Sequence, residues 1–240
     1  MPAPPPLLLL GGSGLGSWAW QRVVPLLEES GRRVIAPTLS GTGDDRTPAA
    51  EVDLDTWARD VLRALDAAGA PRAVLVAHSF AGYLAARLRE RHPERVASIV
   101  FVDANIPGPG VPWLTAMGPE VESMLLASVV DGAVPFFAPE QFEAVHPASG
   151  LDADDRALLL RSARPQPLRT ETQGAVDRPL EPGDAGLGYI RCTRTTPPAA
   201  VLGGWTRVTE IDTGHWPMLS EPESLARTIL ELAQDPTTPA

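Results

Sequence analysis

The residue whose surroundings most clearly indicate chemistry is Ser79, within the sequence VLVAHSFAG of residues 74–82. An apolar run leads into this serine, and a helical pattern begins directly after it. The segment therefore predicts a strand, a tight turn and a helix, with the hydroxyl held out from the turn as a nucleophile. Small residues suit such a turn because the backbones of strand and helix approach closely there. Here the flanking small residues are Ala77 and Ala81, so each adds a methyl group to a crowded turn.

A serine hydroxyl is a weak nucleophile unless a base accepts its proton, and the chain has four histidines. We expect His215 to be the base. It lies in the sequence DTGHW of residues 212–216, after a late strand pattern and before the final helix, and the preceding glycine allows a tight loop. A histidine in a surface loop is the alternative. We expect His78 to pack beside the turn, and His92 and His146 to be structural or exposed.

The base in turn needs a carboxylate that orients its imidazole and stabilises the protonated form. Asp103 ends the apolar run at residues 97–102, and the C-terminal ends of parallel strands lie on the ligand side of a sheet. We expect Asp103 to be this acid, with capping of the following turn as the alternative. Asp212 is its competitor, but we expect a residue so close to His215 to fix the loop. A Ser-His pair without an acid is a further alternative.

Backbone N–H groups must also stabilise the oxyanion that forms during attack on a carbonyl group. We expect one donor from Phe80, directly after the nucleophile. The other is expected from the segment Gly11-Gly12-Ser13 that follows the first strand, with Gly12 and Ser13 as the candidates. The alternatives for this segment are an ordinary turn or a phosphate-binding loop. It lacks the lysine of a P-loop and matches no complete dinucleotide-binding fingerprint.

Short apolar runs alternate with helical patterns and predict the scaffold that must position these residues. Strands are expected at residues 7–10, 33–36, 73–76, 97–102, 189–192 and 207–211, and helices at 18–29, 54–68 and 83–91. The final helix is expected to begin at Ser220, because Ser220 and Glu223 match a capping box. This alternation predicts right-handed βαβ units and a mainly parallel sheet flanked by helices.

The alternation ends after Asp103. Residues 106–186 are rich in Pro and Gly with only short helical patterns, so we predict a small helical cap inserted into a core of residues 1–105 and 187–240. Aromatic side chains are expected to line a pocket over the serine, with sealing of the cap onto the sheet as their alternative role. The candidate pocket residues are Trp113, Phe136 and Phe137 of the cap, and His78 and Trp216 of the core.

Length and composition restrict the possible partners. The 240 residues are enough for one α/β domain with a full core, and a net charge of −10 from scattered acidic residues disfavours a nucleic-acid partner. Cys192 is the one cysteine, so an intramolecular disulfide is excluded, as fits the cytoplasm. The apolar run at residues 7–10 is too short to span a membrane, and no basic segment typical of a signal peptide precedes it. We expect a cytoplasmic monomer or homodimer without a membrane partner.

Together these motifs resemble the α/β-hydrolase superfamily over nearly the whole chain, and within it the small lid-bearing branch of plant methylesterases, hydroxynitrile lyases and their bacterial relatives. The matching segments are residues 11–12, 17–20, 36–41, 74–82, 102–104, 189–193 and 212–215. The order Ser79, Asp103, His215 is the order expected for this fold. Members of the superfamily usually carry the acid after a later strand, where residues 192–196 contain none. The resemblance implies the earlier position, at Asp103, as in some members.

The resemblance implies a Ser-His-Asp site under a helical lid, acting on small neutral esters or related carbonyl compounds without a cofactor or metal. We therefore predict a serine hydrolase that cleaves a small, mostly apolar carboxylic ester through an acyl-enzyme. Because a fold does not determine a reaction, two alternatives are kept. One is a lyase or cyclase that uses the same serine and histidine for proton transfer. The other is a non-catalytic protein that binds a small ligand.

Overall fold

The computed structural model describes residues 3–195 and 200–234 of the chain. Its strands are β1 (Leu7–Leu10), β2 (Val34–Ile35), β3 (Ala73–His78), β4 (Val96–Val102), β5 (Ala133–Val134), β6 (Gln166–Pro167), β7 (Leu187–Cys192) and β8 (Val208–Ile211). Six of them form a parallel sheet in the order β2-β1-β3-β4-β7-β8, and β5 and β6 form a separate antiparallel pair. This is the predicted α/β class, with a mainly parallel sheet.

The four leucines of β1 show why this sheet is covered on both faces. Successive side chains of a strand point to opposite faces, so the run of apolar residues requires apolar packing on each side. Leu8 and Leu10 pack in one core cluster, with Trp57 among its members. Leu7 and Leu9 pack in the other, with Trp20 among its members. All four leucines are fully buried.

Helices supply the two covering layers and the cap. They are α1 (Val23–Glu29), α2 (Leu54–Ala67), α3 (Ala81–Arg91), α4 (Trp113–Ala116), α5 (Pro119–Ala127), α6 (Pro139–Val145), α7 (Ala153–Ser162), α8 (Leu168–Glu171), α9 (Pro217–Ser220) and α10 (Pro222–Leu232). Helices α2 and α3 contribute to the cluster that holds Leu8, whereas α1 and α10 contribute to the cluster that holds Leu7. Among the described helices, none is both long and apolar enough to cross a membrane.

The elements between β4 and β7 are α4 to α8 and the pair β5-β6, none of which joins the six-stranded sheet. This arrangement supports the division into a core and a cap at residues 106–186, which we keep as a proposal. Residues 1–2, 196–199 and 235–240 of the predicted core lie outside the described residues.

Two predicted helices differ from the observed ones, and proline explains both differences. The helix expected at residues 18–29 is a short 3-10 helix, Ser17–Trp20, followed by α1. Pro25 has no N–H to donate to a preceding carbonyl, so it is tolerated only in the first turn of a helix. An α-helix containing Pro25 must therefore begin close before it, as α1 does.

The prediction that the final helix begins at Ser220 with a capping box is wrong. Helix α10 begins at Pro222, and Glu221 precedes it with φ −140° and ψ 53°. The residue before a proline is disfavoured in the α conformation, and proline itself suits the first helical position. The Ser220 hydroxyl instead lies 2.7 Å from Thr213 Oγ1 and donates to the carbonyl oxygen of Trp216.

Candidate active site

The turn between β3 and α3 holds Ser79 in a left-handed conformation, with φ 55°. Such a conformation is uncommon for a residue with a side chain and needs support from its surroundings. The Ser79 N–H donates to the carbonyl of Val102 at 3.1 Å, and the Ser79 carbonyl accepts from the N–H groups of Gly82 and Asn105, each at 3.1 Å. The predicted strand, turn and helix are therefore present, and the serine is partly exposed at the carboxyl end of the sheet.

The close contacts at this turn involve two glycines, Gly12 and Gly82, rather than the flanking alanines. A Cβ atom on Gly12 would lie 2.6 Å from the Cβ of Ser79, and one on Gly82 would overlap the carbonyl oxygen of Asn105. Ala77 and Ala81 are fully buried with their methyl groups in place. The close approaches thus occur at Gly12 and Gly82, which explains why alanine is tolerated at the two flanking positions.

His215 follows β8 and lies between the serine and an aspartate. Its Nε2 is 2.9 Å from Ser79 Oγ, and its Nδ1 is 2.7 Å from Asp103 Oδ2. Because an ionised carboxylate can only accept, Nδ1 carries the hydrogen and donates to Asp103. The lone pair of Nε2 is then available to accept the Ser79 hydroxyl proton. The structure thus brings together the three residues proposed for nucleophile, base and acid.

Asp103 directly follows β4 and is 1% exposed. Its carboxylate accepts three hydrogen bonds: from His215, from the Thr195 hydroxyl at 2.7 Å and from the Cys192 N–H at 3.2 Å. Burial by itself raises the pKa of Asp103, but these hydrogen bonds and the charge of His215 outweigh burial and leave the pKa below its usual value. A buried aspartate that stays charged is what an imidazolium needs as its partner.

Asp212, the competing acid, points elsewhere. Its carboxylate accepts from Arg194 at 3.0 and 2.8 Å and from the Thr193 hydroxyl at 3.0 Å. Hydrogen bonding to Arg194 is the main cause that lowers its pKa to about 2. Asp212 is thus a loop-fixing residue on the surface, as expected. Thr196, the last residue of the stretch that lacks an acid, lies outside the described residues.

Two further histidines contact His215. The buried His78 donates from Nε2 to the carbonyl oxygen of His215 at 2.7 Å, and burial, with His215 second, lowers its pKa to about 3. His78 is 1% exposed and supports the histidine loop, and its role in a pocket stays a prediction. His146 stacks on the His215 ring with centroids 5.8 Å apart and an interplanar angle of 9°.

His146 is the site residue that sequence reasoning missed. It was expected to be structural or exposed, but it is half-buried beside the base, and burial followed by the charge of His215 lowers its pKa to about 4. Its aromatic neighbours are Phe137, Phe142 and Trp216. No local pattern relates residue 146 to residue 215, because only the folding of the cap brings them together.

A cavity of about 210 Å³ adjoins His215. It is lined by residues 144–149 of the cap together with 194–195 and 214–215 of the core loops. The predicted pocket aromatics are not among these residues. Trp113 instead donates from Nε1 to Asn105, Phe136 and Phe137 contact each other edge to face, and Trp216 packs against Phe142. Their role in a pocket therefore stays a prediction.

Two of the predicted oxyanion donors, Phe80 and Gly12, lie next to the serine. Phe80 precedes the first residue of α3, and Gly12 touches Ser79. Within the described residues, the N–H groups of Gly12, Ser13 and Phe80 donate to no acceptor of the protein. They are therefore available to a substrate oxygen, and their role as an oxyanion hole stays a prediction. In the same part of the chain, no group of three or more His, Cys, Asp or Glu side chains could hold a metal ion.

Comparisons with known proteins agree with this architecture. The chain is 44% identical over 101 residues to a 2-hydroxymuconate semialdehyde hydrolase of Pseudomonas sp. (strain CF600), covering 40% of this chain and 35% of that protein. It is 29% identical over 175 residues to a carbendazim hydrolyzing esterase of Nocardioides sp. (strain SG-4G), covering 68% and 69%. The aligned part of the chain thus spans only about a third of the Pseudomonas relative.

The likeness in structure extends over the whole fold. An extracellular α/β-hydrolase from a Paenibacillus species, described as sharing structural and functional homology with tobacco salicylic acid binding protein 2, superposes with a TM-score of 0.78. That alignment covers 97% of this chain and 100% of the other, at 19% sequence identity. The family model for the alpha/beta hydrolase fold matches residues 5–142. With more than half of its length matched by that family and with the parallel sheet and the turn at Ser79 described above, the chain belongs to the α/β-hydrolase fold family.

Proposed function

We propose that this protein is a serine hydrolase that cleaves a small, mostly apolar carboxylic ester, or a related acyl compound, through an acyl-enzyme. The observation that carries the proposal is the continuous hydrogen-bond chain from Ser79 through His215 to Asp103. Relatives described as a hydrolase and as an esterase support the same reaction class.

In the first half of the reaction, Ser79 Oγ bonds to the ester carbonyl carbon while its proton moves to His215 Nε2. The carbonyl oxygen becomes an oxyanion that accepts hydrogen bonds from Phe80 and from Gly12 or Ser13. Asp103 stays ionised and stabilises the imidazolium through Nδ1–H. When the oxyanion collapses, the bond to the alcohol breaks, His215 gives its proton to the leaving oxygen, and the acyl group remains on Ser79.

In the second half, water takes the place of the alcohol. His215 accepts a proton from the water as its oxygen bonds to the acyl carbon, and it then protonates Ser79 Oγ as the acid departs. His215, paired with Asp103, thus accepts a proton and then donates it in each half of the reaction, so both residues end in their starting protonation states. His78 supports these transfers indirectly, since it holds the carbonyl of His215.

The two alternatives predict different products. A lyase or cyclase would use Ser79 and His215 for proton transfer without an acyl-enzyme, and no acid would be released from an ester. A ligand-binding protein would bind its ligand without turnover and irrespective of Ser79. No contact in the described part of the chain favours either alternative over hydrolysis.

The test is intact mass spectrometry after incubation with a fluorophosphonate, together with hydrolysis of p-nitrophenyl acetate. Activated serines displace fluoride and keep the phosphonyl group, so we expect one adduct in the wild type and none in Ser79→Ala. Ester turnover is expected to fall by about 10⁶-fold in the same variant, as in comparable triads. Unchanged turnover in Ser79→Ala, or a wild type that neither forms the adduct nor releases nitrophenol, would contradict the proposal.

The remaining expectations also belong to the proposal. We propose a cytoplasmic location and a monomeric or homodimeric protein that acts on a small molecule rather than on a nucleic acid or a membrane. They are supported by the single cysteine, the length and the acidic composition of the chain. Size-exclusion chromatography with light scattering checks the oligomeric state.

A further inference from the structure

A cap segment, residues 164–171, lies along the loop of residues 11–14 that follows β1, and we call this segment the strap. The Arg164 N–H donates to the carbonyl oxygen of Gly14 at 2.9 Å. In the other direction, the Gly14 N–H donates to Gln166 Oε1 at 2.9 Å. Because Gln166 is 3% exposed, the bond between Gly14 and Gln166 is sheltered from water. The strap thus holds the loop that carries the proposed oxyanion donors.

Glu171 ends the strap and is 2% exposed. The Ser13 hydroxyl donates to its Oε1 at 3.4 Å, whereas its Oε2 is buried and has no hydrogen-bond partner in the described part of the chain. No Arg, Lys or His among those residues forms an ion pair with it. Burial raises the pKa of Glu171 to about 8, and the hydrogen bond from Ser13 lowers it only in part. Burial without a cationic partner therefore favours the uncharged carboxylic acid at neutral pH.

The partner of Glu171 directly follows a glycine that packs closely against the nucleophile. Ser13 follows Gly12, which is so close to Ser79 that a Cβ atom on Gly12 would lie 2.6 Å from the serine Cβ. A displacement of Ser13 by 1 Å would move its N–H, and that of Gly12, relative to the reacting carbonyl. Misplacement on this scale can cost about 100-fold in rate. The hydrogen bond to the Ser13 hydroxyl therefore allows the strap to position the N–H groups of Gly12 and Ser13.

We propose that Glu171 is a positioning residue for the oxyanion loop, which holds Ser13 in place through its uncharged carboxylic acid and keeps negative charge away from the forming oxyanion. The inference rests on the proposed function. It follows because ionised Glu171 would add a negative charge beside Ser13, in the loop that is proposed to stabilise the negative charge of the reaction. A carboxylic acid offers an acceptor to Ser13 without that charge.

Four variants test this role. Glu171→Gln keeps the shape, the acceptor and the neutral state, whereas Glu171→Met keeps the volume but removes the acceptor. Ser13→Ala removes the partner, and the double variant of Glu171→Met with Ser13→Ala tests their coupling. Glu181→Met is the matched control, because Glu181 is an exposed glutamate of the same cap. The five variants and the wild type are compared in kcat and KM with p-nitrophenyl acetate between pH 6 and 9.5.

We expect Glu171→Met and Ser13→Ala each to lower kcat by about 10- to 100-fold with little change in KM, and the double variant to be no worse than either. Glu171→Gln is expected to recover most of this loss at pH 7. The wild type is expected to lose kcat above about pH 8, whereas the Gln variant does not. Additive losses, equal losses in the Gln and Met variants, or overlapping pH profiles of wild type and Gln variant would each overturn the proposal.

The stability of the folded proteins separates this inference from the proposed function. Thermal unfolding is measured for the wild type and Glu171→Gln from pH 5 to 8. If Glu171 is uncharged when folded, the Gln variant gains stability relative to the wild type as pH rises through this range, whether or not esters are cleaved. A constant difference would contradict the uncharged state. A different result would refute the hydrolase proposal, and with it the positioning role. In that case the wild type would neither hydrolyse the ester nor react with the fluorophosphonate, although the pH-dependent difference in stability was observed.

Discussion

Replacing Asp103 by Asn tests the proposed acid most directly, because the amide keeps the shape of the carboxylate but changes its hydrogen bonding. In the native site, Oδ2 accepts from His215 and Thr195, and Oδ1 accepts from the Cys192 N–H. Every partner is thus a donor, and an NH₂ group in either position faces at least one of them. No orientation of the amide satisfies all three.

Both orientations impair His215. If the NH₂ group faces His215, the imidazole must accept at Nδ1 and carry its hydrogen on Nε2, where it can no longer accept the Ser79 proton. If the amide oxygen faces His215, the NH₂ group meets the Cys192 N–H, and the imidazolium still loses its counter-charge. We expect kcat to fall by about 10³- to 10⁴-fold, which corresponds to ~4–5.5 kcal/mol of transition-state stabilisation.

The matched control is Asp212→Asn. Asp212 is an exposed aspartate three residues from the base, and its ion pair with Arg194 is the kind of surface contact that contributes little. We expect its kcat to stay within about threefold of the wild type. The assay is steady-state hydrolysis of p-nitrophenyl acetate, with circular dichroism to establish that each variant is folded. A folded Asp103→Asn within tenfold of the wild type, or a larger loss in Asp212→Asn, would refute the reasoning.

Three further predictions concern close packing and pH. Gly12→Ala should lower kcat by at least about 10-fold, because its Cβ would displace the loop from Ser79; unchanged kcat would contradict this. Gly82→Ala should lower the free energy of unfolding by about 1–3 kcal/mol in urea titrations, because its Cβ overlaps the Asn105 carbonyl; a urea unfolding curve identical to that of the wild type would speak against it. The pKa of His146 falls from 6.5 to about 4 on folding, so the unfolded chain binds the proton first and stability is lost as pH falls through this window. His146→Gln should lose less stability than the wild type between pH 7 and 4.5, and equal losses would show that His146 does not contribute.

Several features of this protein can be predicted from local sequence because their causes are local. The apolar run before Ser79 and the helical pattern after it indicate the tight turn, and the left-handed φ of 55° follows from that geometry. The four leucines of residues 7–10 indicate a strand buried on both faces, since strand side chains alternate. The order of Ser79, Asp103 and His215 along the chain indicated which residues should meet. The proline at residue 222 was an overlooked local signal, and it explains the wrong start of the last helix.

The remaining features depend on contacts between residues far apart in the sequence, which no local pattern encodes. His146 reaches His215 only because the segment between β4 and β7 folds back onto the loop after β8, and Thr195 completes the hydrogen bonds of Asp103 from another strand end. Glu171 is an ordinary glutamate in the sequence, and burial beside Ser13 is what makes it an uncharged acid. The sequence by itself determined the fold class and the three candidate catalytic residues, because chain order and local backbone preference suffice for them. Only the tertiary structure decided which neighbours set their charge and orientation, because desolvation and hydrogen bonding depend on what is packed against each group.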